Sequence, residues 1–316
     1  MRALVFDQGR LTVDSSYPVP CPLSGEALIA PALMGVCATD KAILNGYGGG
    51  FRGVLGHEFV GRVVQAPGHP EWEGRRVVGE ISIPCHGCFV CLRGDFSHCL
   101  QRTVLGIRGR DGVFCQYFTL PIANLHPVPD GLADEAALFT EPLAAALEVL
   151  QQVHIPPRAR VAVVGDGKLG LLVAQVVALT GCELLVIGRH PEKWRVLEAR
   201  GIPVVTAPRA EGEWDVVVEC SGSPSGFALA RRLVRPRGRI VLKSALLAPE
   251  LVDLAALTVE EITLTGSRCG PFPAALRLLA RNLVSVTPLL TAIHPLEQGI
   301  EALRSTGPVI KIALRP

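Results

Sequence analysis

The chain has 316 residues, enough for two domains with separate cores. Apolar residues make up 49% and charged residues 19%, the proportions of a globular protein and not of a disordered one. The formal net charge is only +2, with no long basic run and no aromatic-basic alternation, which argues against a nucleic-acid partner.

Residues 1–14 alternate as a strand does and lack the apolar core and cleavage site of a signal peptide. No apolar stretch reaches the length of a membrane span, so a cytoplasmic protein without a membrane partner is expected. In that compartment the ten cysteines stay reduced, and metal binding becomes the main use for a tight cluster of them. From residue 1 to about 120, short runs of Val, Ile and Leu are broken by Gly and Pro, as at 5–9 and 61–65. This texture predicts many short strands in a mainly β domain. Two isolated motifs fall in it, Cys37-Ala38-Thr39-Asp40 and Gly56-His57-Glu58, and each alone is a weak signal. Between them, residues 45–51 are rich in glycine, and Tyr47 there is either a donor to a substrate hydroxyl or a packing aromatic.

Cys85, Cys88, Cys91 and Cys99 follow in a C-x2-C-x2-C-x7-C spacing. Four thiolates this close suit one tetrahedral Zn²⁺, and Pro84, Gly87 and Gly94 favour the turns needed to wrap it. A site closed by four sulfurs has no open position, so it predicts a structural ion. The alternatives are a pair of disulfides or scattered buried cysteines.

Near residue 141 the texture changes. Residues 141–153 predict a helix with Pro142 tolerated in its first turn, and Pro156-Pro157 marks a break. Strands are then expected at 160–164, 184–187, 216–219 and 239–242, alternating with helices at 168–179, 192–200 and 226–234, the pattern of a parallel sheet with helices on both faces. The tail, 287–316, predicts a helix around 296–304 and a last strand at 309–314.

The first of these strands runs into Gly165-Asp166-Gly167-Lys168-Leu169-Gly170 and then an apolar helix, the context a dinucleotide-binding glycine motif requires. Gly165 permits the tight turn, Gly167 lets the backbone approach a pyrophosphate, and Gly170 lets helix and strand pack closely. The N-terminus of the helix at Lys168 and Leu169 supplies N–H groups to phosphate. At the end of the second strand, Gly188-Arg189-His190 has an arginine where NAD enzymes carry Asp or Glu, which favours NADP(H) over NAD(H). The other reading is that Arg189, His190 and Lys193 are solvated loop charges.

With the Cys37 and Gly-His-Glu motifs, the four-cysteine lobe and the glycine motif in this order, the chain resembles the zinc-containing medium-chain dehydrogenase/reductase family, which includes alcohol, sorbitol, threonine and glucose dehydrogenases. The resemblance spans essentially the whole chain. It implies an α/β fold: a Rossmann doubly wound parallel sheet plus a mainly β, GroES-like catalytic domain. It sets the domains at 1–150 (catalytic), 151–286 (dinucleotide-binding) and 287–316 (returning to the catalytic domain). By resemblance, Cys37 and His57 bind a catalytic zinc. Thr140-Glu141-Pro142 stands where polyol and sugar dehydrogenases place a carboxylate ligand, so Glu141 is the implied third ligand, with Glu58 exchangeable or bound through water. Thr39 is the implied start of a proton relay, and Asp40 the partner that orients His57. Arg268 and the segment Glu219-Cys220-Ser221-Gly222 match positions near the cofactor, Ser221 among them.

The implied reaction is reversible oxidation of an alcohol, with a polyol, sugar or amino alcohol preferred, to a carbonyl by hydride transfer to NAD(P). It uses one catalytic and one structural Zn²⁺. Two other classes share the architecture: a zinc-independent enone or quinone reductase, and a non-enzymatic NADP-binding redox sensor. The family also implies a homodimer or homotetramer, paired through an apolar strand at 261–265.

Overall fold

In the computed structural model, the ten-residue strand Glu26–Gly35 is the centre of the N-terminal sheet. Its composition explains its place, because apolar residues on both faces need cover on both sides. Glu58–Gln65 and Phe118–Pro121 pair with it antiparallel. Pro31, which cannot donate to a ladder, lies at a register shift in the pairing with Glu58–Gln65. The sheet has seven strands, and a core including Leu33, Met34, Phe59 and Leu120 packs on it. Phe59 and Phe118 meet edge to face with centroids 4.8 Å apart.

Residues 1–47, 50–244, 251–305 and 309–316 are described, so Gly48 and Gly49 of the glycine-rich stretch lie outside the described residues. The chain divides into two units, Met1–Glu141 with Leu279–Arg281 and Leu290–Pro316, and Pro142–Leu278 with Asn282–Leu289. The division falls inside the helix Thr140–Gln152. The last strand, Lys311–Arg315, returns to the first unit, where Ala313 pairs with Gly35 and Leu314 with Met34. Cys37 follows Gly35 by two residues, so this pairing brings the end of the chain beside the first metal motif.

In the second unit, six parallel strands run Val204–Thr206, Glu183–Gly188, Arg160–Val164, Trp214–Glu219, Val234–Leu242 and Thr263–Gly266 across the sheet. In chain order this is 3-2-1-4-5-6, the doubly wound Rossmann order, whose direction switches between Arg160–Val164 and Trp214–Glu219. Ala162, Val164, Trp214, Val217, Leu233 and Ile240 are buried in one core beside it.

Several boundaries differ from the sequence expectation. The helix expected at 192–200 is a 3-10 turn, Pro191–Lys193, followed by the short helix Arg195–Glu198. The helix expected to end at 234 is Pro224–Leu233, and the β-branched Val234 already opens the next strand. The strand expected at 261–265 is Thr263–Gly266, at the edge of the sheet. The helix Phe272–Ala280 was not anticipated. No helix among the described residues is long and apolar enough to cross a membrane.

Candidate metal centre and dinucleotide pocket

Cys37 ends the run of strand Glu26–Gly35 and is the N-cap of the helix Ala38–Leu44, with extended backbone at φ −117° and ψ 158°. Asp40, at the third helical position, closes a capping box by accepting from the Cys37 N–H through Oδ2 at 2.8 Å. Its other oxygen, Oδ1, lies 3.2 Å from Nδ1 of the buried His57. The same carboxylate thus serves two candidate ligands at once: it sets the Cys37 backbone and lies beside His57 Nδ1, a placement that would leave Nε2 to ligate. Burial disfavours the charged imidazolium, but the Asp40 carboxylate and Cys37 outweigh it and raise the His57 pKa well above the usual histidine range.

His57 and Glu58 enter from the turn before Glu58–Gln65. Gly56 makes that turn at φ +93°, and a Cβ there would meet the Phe114 ring at 2.5 Å. The ligand atoms of Cys37, His57 and Glu58 all lie within 4.8 Å of one another. Sulfur, nitrogen and carboxylate oxygen converging in this way fit Zn²⁺, and three protein donors leave a fourth position for substrate. Thr39 Oγ1 is 3.9 Å from Cys37 Sγ. Glu141, half-buried in the first turn of Thr140–Gln152, is not a member of the converging set.

Sequence reading missed Lys311. Its side chain is fully buried, forms an ion pair with Glu58 Oε2, and donates to the Val36 carbonyl at 3.0 Å. A Cβ on Gly35 would collide with the Lys311 ammonium and would lie 2.7 Å from Glu58 Oε2, so that glycine is the space the pair occupies. Burial lowers the Lys311 pKa to about 8, opposed by Cys37 and Asp40.

The four-cysteine lobe converges as its spacing predicts. Cys88 caps the short helix Phe89–Leu92, which carries Cys91, and Cys99 follows the turn Phe96–His98. The sulfurs of Cys88 and Cys91 are 3.5 Å apart, and those of Cys88 and Cys99 are 3.9 Å apart. Four sulfurs about 2.3 Å from one ion would stand about 3.8 Å from each other, so the set has the dimensions of a zinc tetrathiolate. All ten cysteines are free thiols, which removes the disulfide alternative. Backbone N–H groups of Cys91 and Leu100 lower the Cys88 thiol to about 6, so a thiolate is on offer at neutral pH.

In the second unit, a pocket of about 280 Å³ opens at the carboxyl ends of Arg160–Val164, Glu183–Gly188 and Trp214–Glu219. Of the expected cofactor residues, Gly165, Gly167, Gly188, Arg189, His190 and Ser221 line it, and Lys193 joins them. Gly165 turns at φ +120°. Nothing lies within 4 Å of a Cβ built on Gly167, so that glycine leaves open space for a ligand and none for packing. Gly170 lies against the Gly165 carbonyl, where a Cβ would collide. Lys168 and Leu169 open the helix Lys168–Ala178 just beyond the lining. Arg268 is not on the lining, and its carbonyl accepts from Lys243 Nζ at 2.6 Å. Glu219 arranges the Ser221 side, accepting from the Ser221 N–H at 2.6 Å. Asp166, also on the lining, stands at an x position of the glycine motif, to which the motif assigns no role.

Residues 23–130 match the family description "Alcohol dehydrogenase GroES-like domain", and residues 169–281 match "Zinc-binding dehydrogenase". A sorbitol dehydrogenase of Halalkalibacterium halodurans is 29% identical, the match covering 100% of this chain and 99% of that protein. A zinc-binding dehydrogenase of Sinorhizobium meliloti, solved with NADP, superposes with a TM-score of 0.92 at 25% identity, covering 100% of this chain and 99% of that one. An alcohol dehydrogenase of Escherichia coli solved with NADH has the same fold, with a TM-score of 0.91 at 24% identity over 100% and 99% of the two chains. With both metal-ligand sets and the dinucleotide pocket in place, the chain belongs to the zinc-containing medium-chain dehydrogenase family as a zinc-dependent, NAD(P)-linked enzyme acting on CH–OH, similar to the polyol dehydrogenases.

Proposed function

We propose that the enzyme oxidises a polyol or sugar alcohol to the corresponding carbonyl with NADP⁺ as preferred hydride acceptor. The observation that carries the cofactor preference is the pocket rim, where Arg189 and Lys193 stand with His190 at the end of Glu183–Gly188 and that strand ends in no carboxylate. A guanidinium matches the two-pronged geometry of a phosphate. The relative solved with NADP supports the same choice, and the sorbitol dehydrogenase supports the substrate class.

Zinc, when bound, supplies a Lewis acid that lowers the pKa of a substrate hydroxyl, and NADP⁺ supplies the hydride acceptor. The rest falls to the chain. Cys37, His57 and Glu58 supply the donors, with Asp40 keeping His57 in the tautomer that presents Nε2. Glu141, in the first turn of Thr140–Gln152, would be the alternative carboxylate donor to Glu58. Thr39, beside the Cys37 sulfur, accepts the substrate's hydroxyl proton through Oγ1 and passes it toward solvent. Rates for a panel of polyols, aldoses, amino alcohols and simple alcohols, each with NADP⁺ and NAD⁺, test the reading. A polyol with NADP⁺ is expected to give the highest kcat/KM. A simple alcohol or an amino alcohol with NAD⁺ in first place would overturn it.

A further inference from the structure

The pocket rim poses a difficulty for the NADP⁺ reading, because one of its lining residues, Asp166, is a carboxylate. In a Rossmann fold the carboxylate that accepts from the ribose 2′-hydroxyl of NAD stands at the end of the second strand; Asp166 stands instead in the glycine turn, facing that strand end, where its charge would likewise repel a 2′-phosphate. Asp166, however, is already engaged. Its Oδ2 accepts from the Arg189 N–H at 2.7 Å, the His190 N–H at 2.6 Å and the Trp194 indole Nε1 at 3.0 Å, and its Oδ1 lies 3.0 Å from His190 Nδ1. An ionised carboxylate offers about four acceptor sites, and four protein donors converge on this one. The side chain is only 6% exposed, whereas that of His190 is 43% exposed.

We infer that Asp166 sets the cofactor preference as a positioning residue: spent on protein donors, it anchors the turn 188–190 and so holds Arg189 and His190 ready for the 2′-phosphate of NADP. This rests on the NADP⁺ reading above. Three features of the site fit it. The Arg189 and His190 N–H groups both go to one oxygen, so the two side chains leave from a fixed backbone. The bond at His190 Nδ1 fixes the ring and leaves Nε2 as its polar atom toward a ligand. The strand also ends in glycine for a steric reason: a Cβ on Gly188 would stand 2.5 Å from Asp166 Oδ2 and 2.7 Å from Trp194 Nε1, so any other residue would push the carboxylate off its donors. The Asp166 charge works against phosphate, and the cations Arg189 and Lys193 on the same lining oppose it. Burial acts to raise the Asp166 carboxyl, yet the Trp194, His190 and Arg189 donors hold it below the usual range.

The test is equilibrium titration of the zinc-loaded enzyme with NADPH and with NADH, followed by tryptophan fluorescence. Wild type is expected to bind NADPH about tenfold or more tightly than NADH. In Asp166→Asn, where one oxygen becomes a donor, the ratio Kd(NADH)/Kd(NADPH) should fall about tenfold, chiefly through weaker NADPH binding. Combined with Arg189→Ala, the same change should move the ratio little further, because the two act through one contact. A fall in both affinities by the same factor would reduce Asp166 to a structural residue and overturn the inference. If Asp166→Asn does not fold, His190→Ala at the exposed rim replaces it, with a lowered ratio expected and an unchanged ratio contradicting the inference. Failure of the parent reading looks different: wild type would bind NADH as tightly as NADPH. Wild-type preference for NADPH with an unchanged ratio in Asp166→Asn removes the role of Asp166 alone.

Discussion

The Lys311 ammonium is shut off from water, and its partners are Glu58 and the Val36 carbonyl. A buried pair of this kind adds little net stability, because desolvation offsets attraction, but removing one partner strands the other charge. Lys311→Met is therefore expected to destabilise the protein by about 3–5 kcal/mol in urea unfolding, and adding Glu58→Gln should recover part of the loss. A Lys311→Met protein as stable as wild type would show that Glu58 is not held by Lys311. The individual ligands were readable at this scale because short motifs carry them: Cys37 and His57 lie in motifs, and four cysteines lie within fifteen positions of one another. Lys311 carries no such signal. It bonds to a residue 275 positions away, and only the pairing of the last strand with Glu26–Gly35 brings the two together. The same holds for the choice between the two glutamates. Glu58 adjoins His57 in sequence and converges with it in space, while Glu141 was singled out by resemblance alone.

Asp166 acts on elements as well as on a ligand, since it ties the loop after Arg160–Val164 to the loop after Glu183–Gly188. A carboxyl whose folded pKa lies below its unfolded value of about 3.9 contributes stability that is complete above that value. The contribution disappears as pH falls through the folded pKa. Thermal unfolding of wild type and Asp166→Asn should therefore differ most near neutral pH and converge as pH drops below about 4. A gap that stays constant across this range would mean that Asp166 is not ionised in the folded protein. The alternation of strands and helices in this unit was legible because its central strands carry short apolar runs of Val, Ile, Leu and Ala separated by helix-forming segments. Boundaries were less so. Val234–Leu242 starts five residues before the expected 239 and runs through Pro236 and Gly238, its register against Trp214–Glu219 shifting between Trp214 and Val216. The expected helix at 192–200 divides at Trp194, whose indole reaches Asp166, a tertiary contact that local propensity cannot report.

At the scale of the whole molecule, the two metal-ligand sets belong to the first unit and the dinucleotide pocket to the second. The terminal strand completes the first unit by pairing with Glu26–Gly35. The two ion sites, for all their common unit, have different tasks. Cys85, Cys88, Cys91 and Cys99 close a tetrahedron and leave no place for substrate, whereas Cys37, His57 and Glu58 leave one. Counting zinc per chain alongside turnover, in wild type, Cys37→Ser and Cys99→Ser, separates them most directly. The account predicts two zinc in wild type and a loss from each variant, with turnover falling by about a hundredfold or more in Cys37→Ser and persisting in Cys99→Ser wherever that variant stays folded. Full activity in Cys37→Ser, or turnover that disappears from folded Cys99→Ser and not from Cys37→Ser, would contradict it.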